Sequence, residues 1–180
     1  MTAPERPTGV PTHRSRWTTA QPWLTVAVRL GLAAVWLVAG GAKVGDLAHS
    51  GRVVNAYKIM SYDAAKIVGA VLPFVELALG ALLLAGLAVR LAGGLSIGLL
   101  GAFIAGIVQA WARGLSIDCG CFGGGGELGA GESPTYLLDL LRDLGFVLLA
   151  GFLLTWPRGW LAVDNWLRDD PQLPTRQEIR

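Results

Sequence analysis

Cys119 and Cys121 are the only cysteines in a chain of 180 residues, and both lie in "SIDCGCFGGGGELGAGES", residues 116–133. Thiols two positions apart can close a disulfide only where the chain bends, and Gly120 between them allows the bend. The ring encloses almost no chain, so loop closure gives it little stabilising value. A ring this small also favours easy reduction. What the pair suits is electron exchange, in which one cysteine attacks or is attacked through a mixed disulfide and the other resolves it. Two further readings fit the same residues. Paired thiolates could hold a soft metal ion with His49, but tetrahedral zinc needs more ligands than His13, His49 and scattered carboxylates readily offer. No metal site is assigned. The cysteines could also be two small apolar side chains in a loop. Asp118 precedes the pair, Phe122 follows it, and the glycines beyond read as freedom to present it to a partner. Because Asp118 opposes a thiolate beside it, Cys121 is the expected nucleophile.

A second set of chemistry-bearing residues lies inside apolar sequence. Glu76 falls in "LPFVELALG", three residues after Pro73, and Asp139, Arg142 and Asp143 share "LLDLLRDLG". Their spacing of three and four puts Asp139 beside both Arg142 and Asp143 on a helix surface. Ionisable groups at membrane depth are costly and mark functional sites by default. One reading is a structural network in which Arg142 and Arg29 are neutralised by Glu76, Asp139 or Asp143. The sharper one is that some of these groups bind a quinone or relay protons near the dithiol. Snorkelling is a third reading for Arg29 and Asp139, nearer the interfaces.

These residues need elements to position them. Composition is 53% hydrophobic and only 16% charged, with seven tryptophans, where a soluble domain carries about a quarter charged residues. A net charge of +2 is too balanced to argue for nucleic acid. Four apolar segments stand out, residues 23–42, 64–89, 91–111 and 136–156, each about the 20 residues a helix needs to cross the hydrocarbon core. The expected fold is all-α, a polytopic bundle of four transmembrane helices, because backbone groups in lipid must be satisfied internally. Residues 1–22, rich in Pro, Thr and Arg, read as a disordered polar lead. That lead and the length of the first apolar run argue against a signal peptide. Residues 157–180 read as an interfacial Trp-rich segment and polar tail, and "DLAHSGRVVNAYKIM" as a second stretch along the membrane surface, with Val53, Tyr57 and Met60 at helical spacing. In the third segment Gly94, Gly98, Ala102, Gly106 and Ala110 recur every four residues. They form a small-residue stripe read as a seam within the bundle, with a homodimer seam as the other use.

Four spans put both termini and Arg90 on one side, and the cysteine loop on the other. Arg6, Arg14, Arg16, Arg90, Arg158 and Arg168 against Lys43, Arg52, Lys58, Lys66 and Arg113 favour cytoplasmic termini by a narrow margin. The pair then faces the oxidising side of a bacterial inner membrane.

"LPFVELALG", "DCGCFG" and "LLRDLG" resemble the DoxX-like family of the methylamine-utilisation protein MauE, over residues 23–156. The resemblance implies a four-helix, redox-associated membrane protein, with Cys119 and Cys121 as the redox pair and Glu76, Arg142 and Asp143 as motif positions of unassigned role. It also implies a thioredoxin-like or DsbA-like extracytoplasmic partner and a part in maturing secreted proteins. DsbB and the vitamin K epoxide reductases, another four-helix membrane class, pass electrons from dithiols to quinone through a second cysteine pair. This chain has one pair, so a partner must supply the other. The expected function is therefore disulfide exchange, with electrons passing onward to quinone. The contrasting expectation is a non-enzymatic membrane scaffold or assembly factor for an extracytoplasmic partner. Transport coupled to Glu76 is less attractive without an evident inverted repeat.

Overall fold

The computed structural model describes residues 14–129 and 131–156. Five helices and one small hairpin follow in order: α1 Arg14–Val44, α2 Leu47–Ala56, α3 Tyr62–Ala85, α4 Val89–Ala112, β1 Ile117–Asp118, β2 Gly126–Glu127 and α5 Tyr136–Thr155. Each expected apolar segment is a helix, with boundaries shifted by at most four residues except at the start of α1. Three stretches are long and apolar enough to cross a membrane: Gln21–Val44, Tyr62–Ala85 and Val89–Ala112. α5, at 20 residues, carries Asp139, Arg142 and Asp143 within its first turns.

Local chemistry sets the helix ends. Asp46 caps α2 by accepting the His49 N–H at 2.8 Å, and Ser61 caps α3 through Ala64 N–H at 3.4 Å. Gly86, in the left-handed region at φ 69°, closes α3, and Leu87 N–H returns to Leu82 O at 3.0 Å. That tight reversal leads into α4.

α1 packs chiefly along α3, and α4 along α5. The two pairs meet in a dry core of Leu32, Trp36, Leu79, Leu83, Leu100 and Leu153. A polar link within it joins α1 to α4, where Trp36 Nε1 donates to Ser96 Oγ at 2.9 Å. Outside, Ile67, Val71 and Phe74 of α3 and Leu138, Leu141 and Leu148 of α5 are exposed, faces that suit lipid rather than water.

α1 stops alongside the middle of α3. Its Lys43 reaches Glu76, a little over halfway along α3, and α2 then covers the earlier part of α3. The fit is close, since a Cβ on Gly69 of α3 would come within 2.6 Å of Gly51 Cα in α2. The space above the end of α1 is filled by the cysteine hairpin.

Three expectations change. The stretch expected on the membrane surface is helical only to Ala56, and Val53 and Ala56 are buried against protein. An amphipathic face is satisfied equally by a helix, a hairpin or lipid. Of the small-residue stripe, Gly94, Gly98 and Ala102 are exposed, while Ala110 is buried and a Cβ on Gly106 would lie 3.3 Å from the Tyr57 ring; the buried face of α4 is Val89, Ala92, Gly93, Ser96, Leu100, Ile107 and Ala110. A repeat of four drifts around a helix of 3.6 residues per turn, so the stripe meets the bundle only toward its end. Finally, α1 begins at Arg14, so the helix takes in the end of the segment read as a polar lead. Residues 157–180, with the expected Trp160 and Trp166 anchor, lie outside the described residues.

Candidate functional site: the cysteine hairpin and the buried charges beneath it

The hairpin is built from β1 and β2, antiparallel with Ile117 opposite Glu127 and Asp118 opposite Gly126. Tyr136, at the start of α5, holds its base: the hydroxyl accepts Ile117 N–H at 3.2 Å and donates to Leu115 O. On the other side Lys58 Nζ meets Glu127 Oε1 at 2.8 Å. The side-chain hydrogen bond from Lys58, reinforced by its charge, holds the Glu127 carboxyl below its usual range.

The glycine run is folded, not slack. Gly120 takes φ 66°, and Gly123 to Gly126 all take positive φ, which wraps the chain back on itself. A Cβ on Gly123 would lie 2.9 Å from Ala42 Cβ, and one on Gly120 would lie 2.6 Å from Val53 Cγ1. The expectation of a mobile presenting loop gives way to a hairpin seated on the end of α1 and walled by α2.

Cys119 and Cys121 are joined as a disulfide, with Cα atoms 5.6 Å apart. Cys119 is buried at 7% exposure and Cys121 is partly open. Cys119 Sγ accepts two N–H groups, from the Cys121 backbone at 3.3 Å and from Arg142 Nη2 at 3.5 Å. Arg142 is itself clamped. Asp139 Oδ1 lies 3.0 Å from Nη1, Asp143 Oδ1 lies 3.0 Å from both Nε and Nη2, and the Phe122 ring sits 5.0 Å from the guanidinium carbon. Thr135 Oγ1 donates to the second oxygen of Asp139 at 3.1 Å. The Asp118 carboxylate, expected to oppose a Cys119 thiolate, turns back to Gly120 N–H at 3.5 Å.

Tyr57, just past the end of α2, donates its hydroxyl to Cys119 O at 3.0 Å. Burial, with the negative charge of Asp139 next, pushes this phenol well above its ordinary range, so it remains a donor at any physiological pH.

Glu76 stands apart from this group. Its Oε1 accepts from Lys43 Nζ at 2.6 Å, both residues are buried, and Lys43 also lies 5.7 Å from the centre of the Phe103 ring. Of the expected network, the structure brings Asp139, Arg142 and Asp143 together at the disulfide, while Glu76 pairs with Lys43 instead of an arginine. Arg29 is buried in α1. Asp118, Cys119 and Asp139 each place one ligand-type atom within 4.8 Å of the others. His49, the ligand weighed for a metal, instead directs Nε2 to Gly124 O at 3.2 Å.

Sequence reasoning missed Lys43 and Tyr57. By composition the apolar run ends before Lys43, which hides its part in the bundle; the signal is a cation at the end of one span and an anion within the next. Tyr57 was assigned to the membrane surface.

A cavity of about 240 Å³ lies between Lys43 and the disulfide. Its walls include Lys43, Val53 and Tyr57, Leu72 of α3, Phe103 and Gly106 of α4, and both cysteines.

The family described as methylamine utilisation protein MauE matches residues 21–156. No curated protein and no solved structure matches the chain significantly.

Proposed function

The chain belongs to the methylamine utilisation protein MauE family, and on that premise we propose that it is a four-span bacterial inner-membrane thiol–disulfide exchange protein. Its termini are cytoplasmic, and Cys119–Cys121 faces a thioredoxin-like or DsbA-like extracytoplasmic partner whose work is the maturation of secreted proteins. α5 is the fourth span, with its charges at the end that carries the hairpin. Residues 23–156 form the working domain.

The observation that carries this reading is the asymmetry of the two sulfurs. Cys119 is buried and receives the Arg142 and Cys121 N–H groups, whereas Cys121 is partly open. A thiolate of the partner attacks Sγ of Cys121, the S–S bond breaks, and Cys119 leaves as a thiolate held by those N–H groups. The partner's second thiolate then attacks the mixed disulfide and releases Cys121. The partner has lost two electrons to form its disulfide, and the pair has gained them as a dithiol. Asp139 and Asp143 fix the guanidinium for this purpose. Run in reverse, the same steps reduce a partner disulfide.

The test is thiol trapping on intact cells with a membrane-impermeant maleimide, before and after mild reduction. Protection that reduction converts to double labelling supports the reading. Labelling only after the membrane is opened, with a permeant reagent reaching the thiols in closed cells, removes the extracytoplasmic exchange mechanism. A Cys119→Ser/Cys121→Ser variant that still matures the secreted partner turns the function into that of a non-enzymatic scaffold.

A further inference from the structure

An exchange protein with a single cysteine pair must be recharged after each turnover, and the cavity beside that pair shows where. We propose that the cavity binds the ring of a lipid-dissolved isoprenoid quinone, with a quinone oxygen on Lys43 Nζ, and that this quinone reoxidises Cys119 and Cys121. The proposal rests on the exchange reading and supplies its electron acceptor.

The geometry points to this occupant for four reasons. The cavity touches both cysteines, so a molecule in it stands against the reacting sulfurs. Its walls are otherwise largely apolar, with Val53, Leu72, Leu99 and Phe103 offering flat or branched surfaces suited to a substituted ring. Its buried cation has donors to spare: an ammonium carries three N–H bonds, and among the described residues the Lys43 group hydrogen-bonds one oxygen, of Glu76, at 2.6 Å. A neutral ring that gains negative charge on its oxygens during reduction matches such a wall. Lastly, Val68 and Leu72 of α3 face Leu99, Ala102 and Gly106 of α4 across the cavity, while these two helices pack mainly on other partners. Ala102 and Val68 are exposed on that flank, so the opening lies on the side that meets lipid, where an isoprenoid tail remains.

Glu76 is the second part of the site. It is fully buried, and its Oε2 has no hydrogen-bond partner among the described residues. It holds Lys43 in place against the apolar wall as a positioning residue. In the reaction two S–H bonds are lost and one S–S bond forms. The two electrons and two protons pass to the quinone, whose two carbonyl oxygens become the two hydroxyls of a quinol. No further oxidant is needed.

The experiment uses the full chain in lipid nanodiscs, reduced and freed of reductant, then mixed with a short-tailed quinone. Quinol formation is followed by ultraviolet absorbance, and thiol loss by maleimide labelling. In parallel, the oxidised protein is mixed with a reduced thioredoxin-like protein, a readout of exchange alone. The expected result is one quinol per disulfide formed. Ala102→Trp, which fills the cavity from its exposed side, and Lys43→Met/Glu76→Gln, which removes the ammonium without stranding a charge, are each expected to slow quinol formation roughly tenfold to hundredfold. Exchange with the thioredoxin-like protein is expected to be unchanged in both. A wild-type dithiol that exchanges normally but reduces no quinone overturns the inference alone. So does quinol formation at the wild-type rate in both variants. Failure of wild-type exchange, with quinone reduction intact, overturns the exchange reading and leaves the site standing. Equilibrium binding of the short-tailed quinone to the oxidised protein, weakened in both variants, checks binding separately from chemistry, and its absence in the wild type also overturns the inference.

Discussion

Two groups of buried charge lie a short distance apart, and they are built differently. Lys43 and Glu76 form one close contact between α1 and α3, wholly enclosed, with one carboxylate oxygen left without a partner among the described residues. Arg142 lies between Asp139, Asp143, the Phe122 ring and a sulfur, and its side chain keeps 30% of its surface exposed. The first arrangement puts a cation against a cavity wall. The second shares a cation among several acceptors, one of which is the Cys119 sulfur. A cation paired with carboxylate thus occurs in two unlike settings, set apart by burial and partner number.

Breaking the enclosed pair on one side gives the sharpest test. Glu76→Ala leaves Lys43 charged in an apolar wall, and removing one member of a buried pair costs about 3–5 kcal/mol. Unfolding by denaturant in a defined detergent should show the loss, and Lys43→Met/Glu76→Leu should recover most of it. If the single and double variants unfold alike, the pair is not a coupled unit.

The shared cation should act on the chemistry as well. Arg142→Met removes one N–H from Cys119 Sγ and leaves the buried Asp139 and Asp143 carboxylates without their cation, so it too should cost about 3 kcal/mol or more. Exchange should suffer too, with reduction of Cys119–Cys121 by a reduced thioredoxin-like protein slowed roughly tenfold. Arg142→Lys should recover part of the rate. An unchanged rate in Arg142→Met removes the role given to the guanidinium.

A smaller effect is expected from Tyr57→Phe, which loses the hydrogen bond to Cys119 O for about 0.5–1.5 kcal/mol. Because the phenol titrates far above its ordinary range, the wild type should show no break in exchange rate from this group as pH rises to about 10, the usual tyrosine value. The variant's pH profile should therefore overlay the wild type. The least effect belongs to Lys58→Ala at the exposed contact with Glu127, where the melting temperature should hardly move. The folded carboxyl of Glu127 titrates below its ordinary value. Its contribution is thus present above that value and fades as pH falls through the lowered one, so any difference between variant and wild type should vanish in acid.

The spans were legible in the sequence because a membrane helix is a length and composition rule, met by residues 64–89 and 91–111 almost to their ends. The pairing of Arg142 with Asp139 was legible from spacing alone, since the partners lie on one helix face. What lay between helices was not. Lys43 meets Glu76 only because α1 ends level with the middle of α3, a register no local pattern encodes. The two-residue strands carry no periodic signal, and a run of glycines reads the same whether it is slack or folded into left-handed turns. Val53 announced a buried face but not that Gly120 and Gly69 stand opposite α2. The charge of Asp118, whose carboxylate stays within 4.8 Å of Cys119 Sγ, points to Cys121 as nucleophile from sequence alone; the donors gathered on Cys119 are a second ground that only the fold reveals.

The point at which α1 stops makes that helix a ruler. Each residue of an α-helix advances 1.5 Å and turns about 100°. One residue inserted between Trp36 and Lys43 would swing the ammonium off Glu76, and would push the seat of the hairpin outward by the same step. An added heptad would nearly restore the angle while lifting the disulfide by about two turns, clear of Arg142. Length here is therefore as much a part of the chemistry as residue type, and this segment should tolerate substitution far better than insertion.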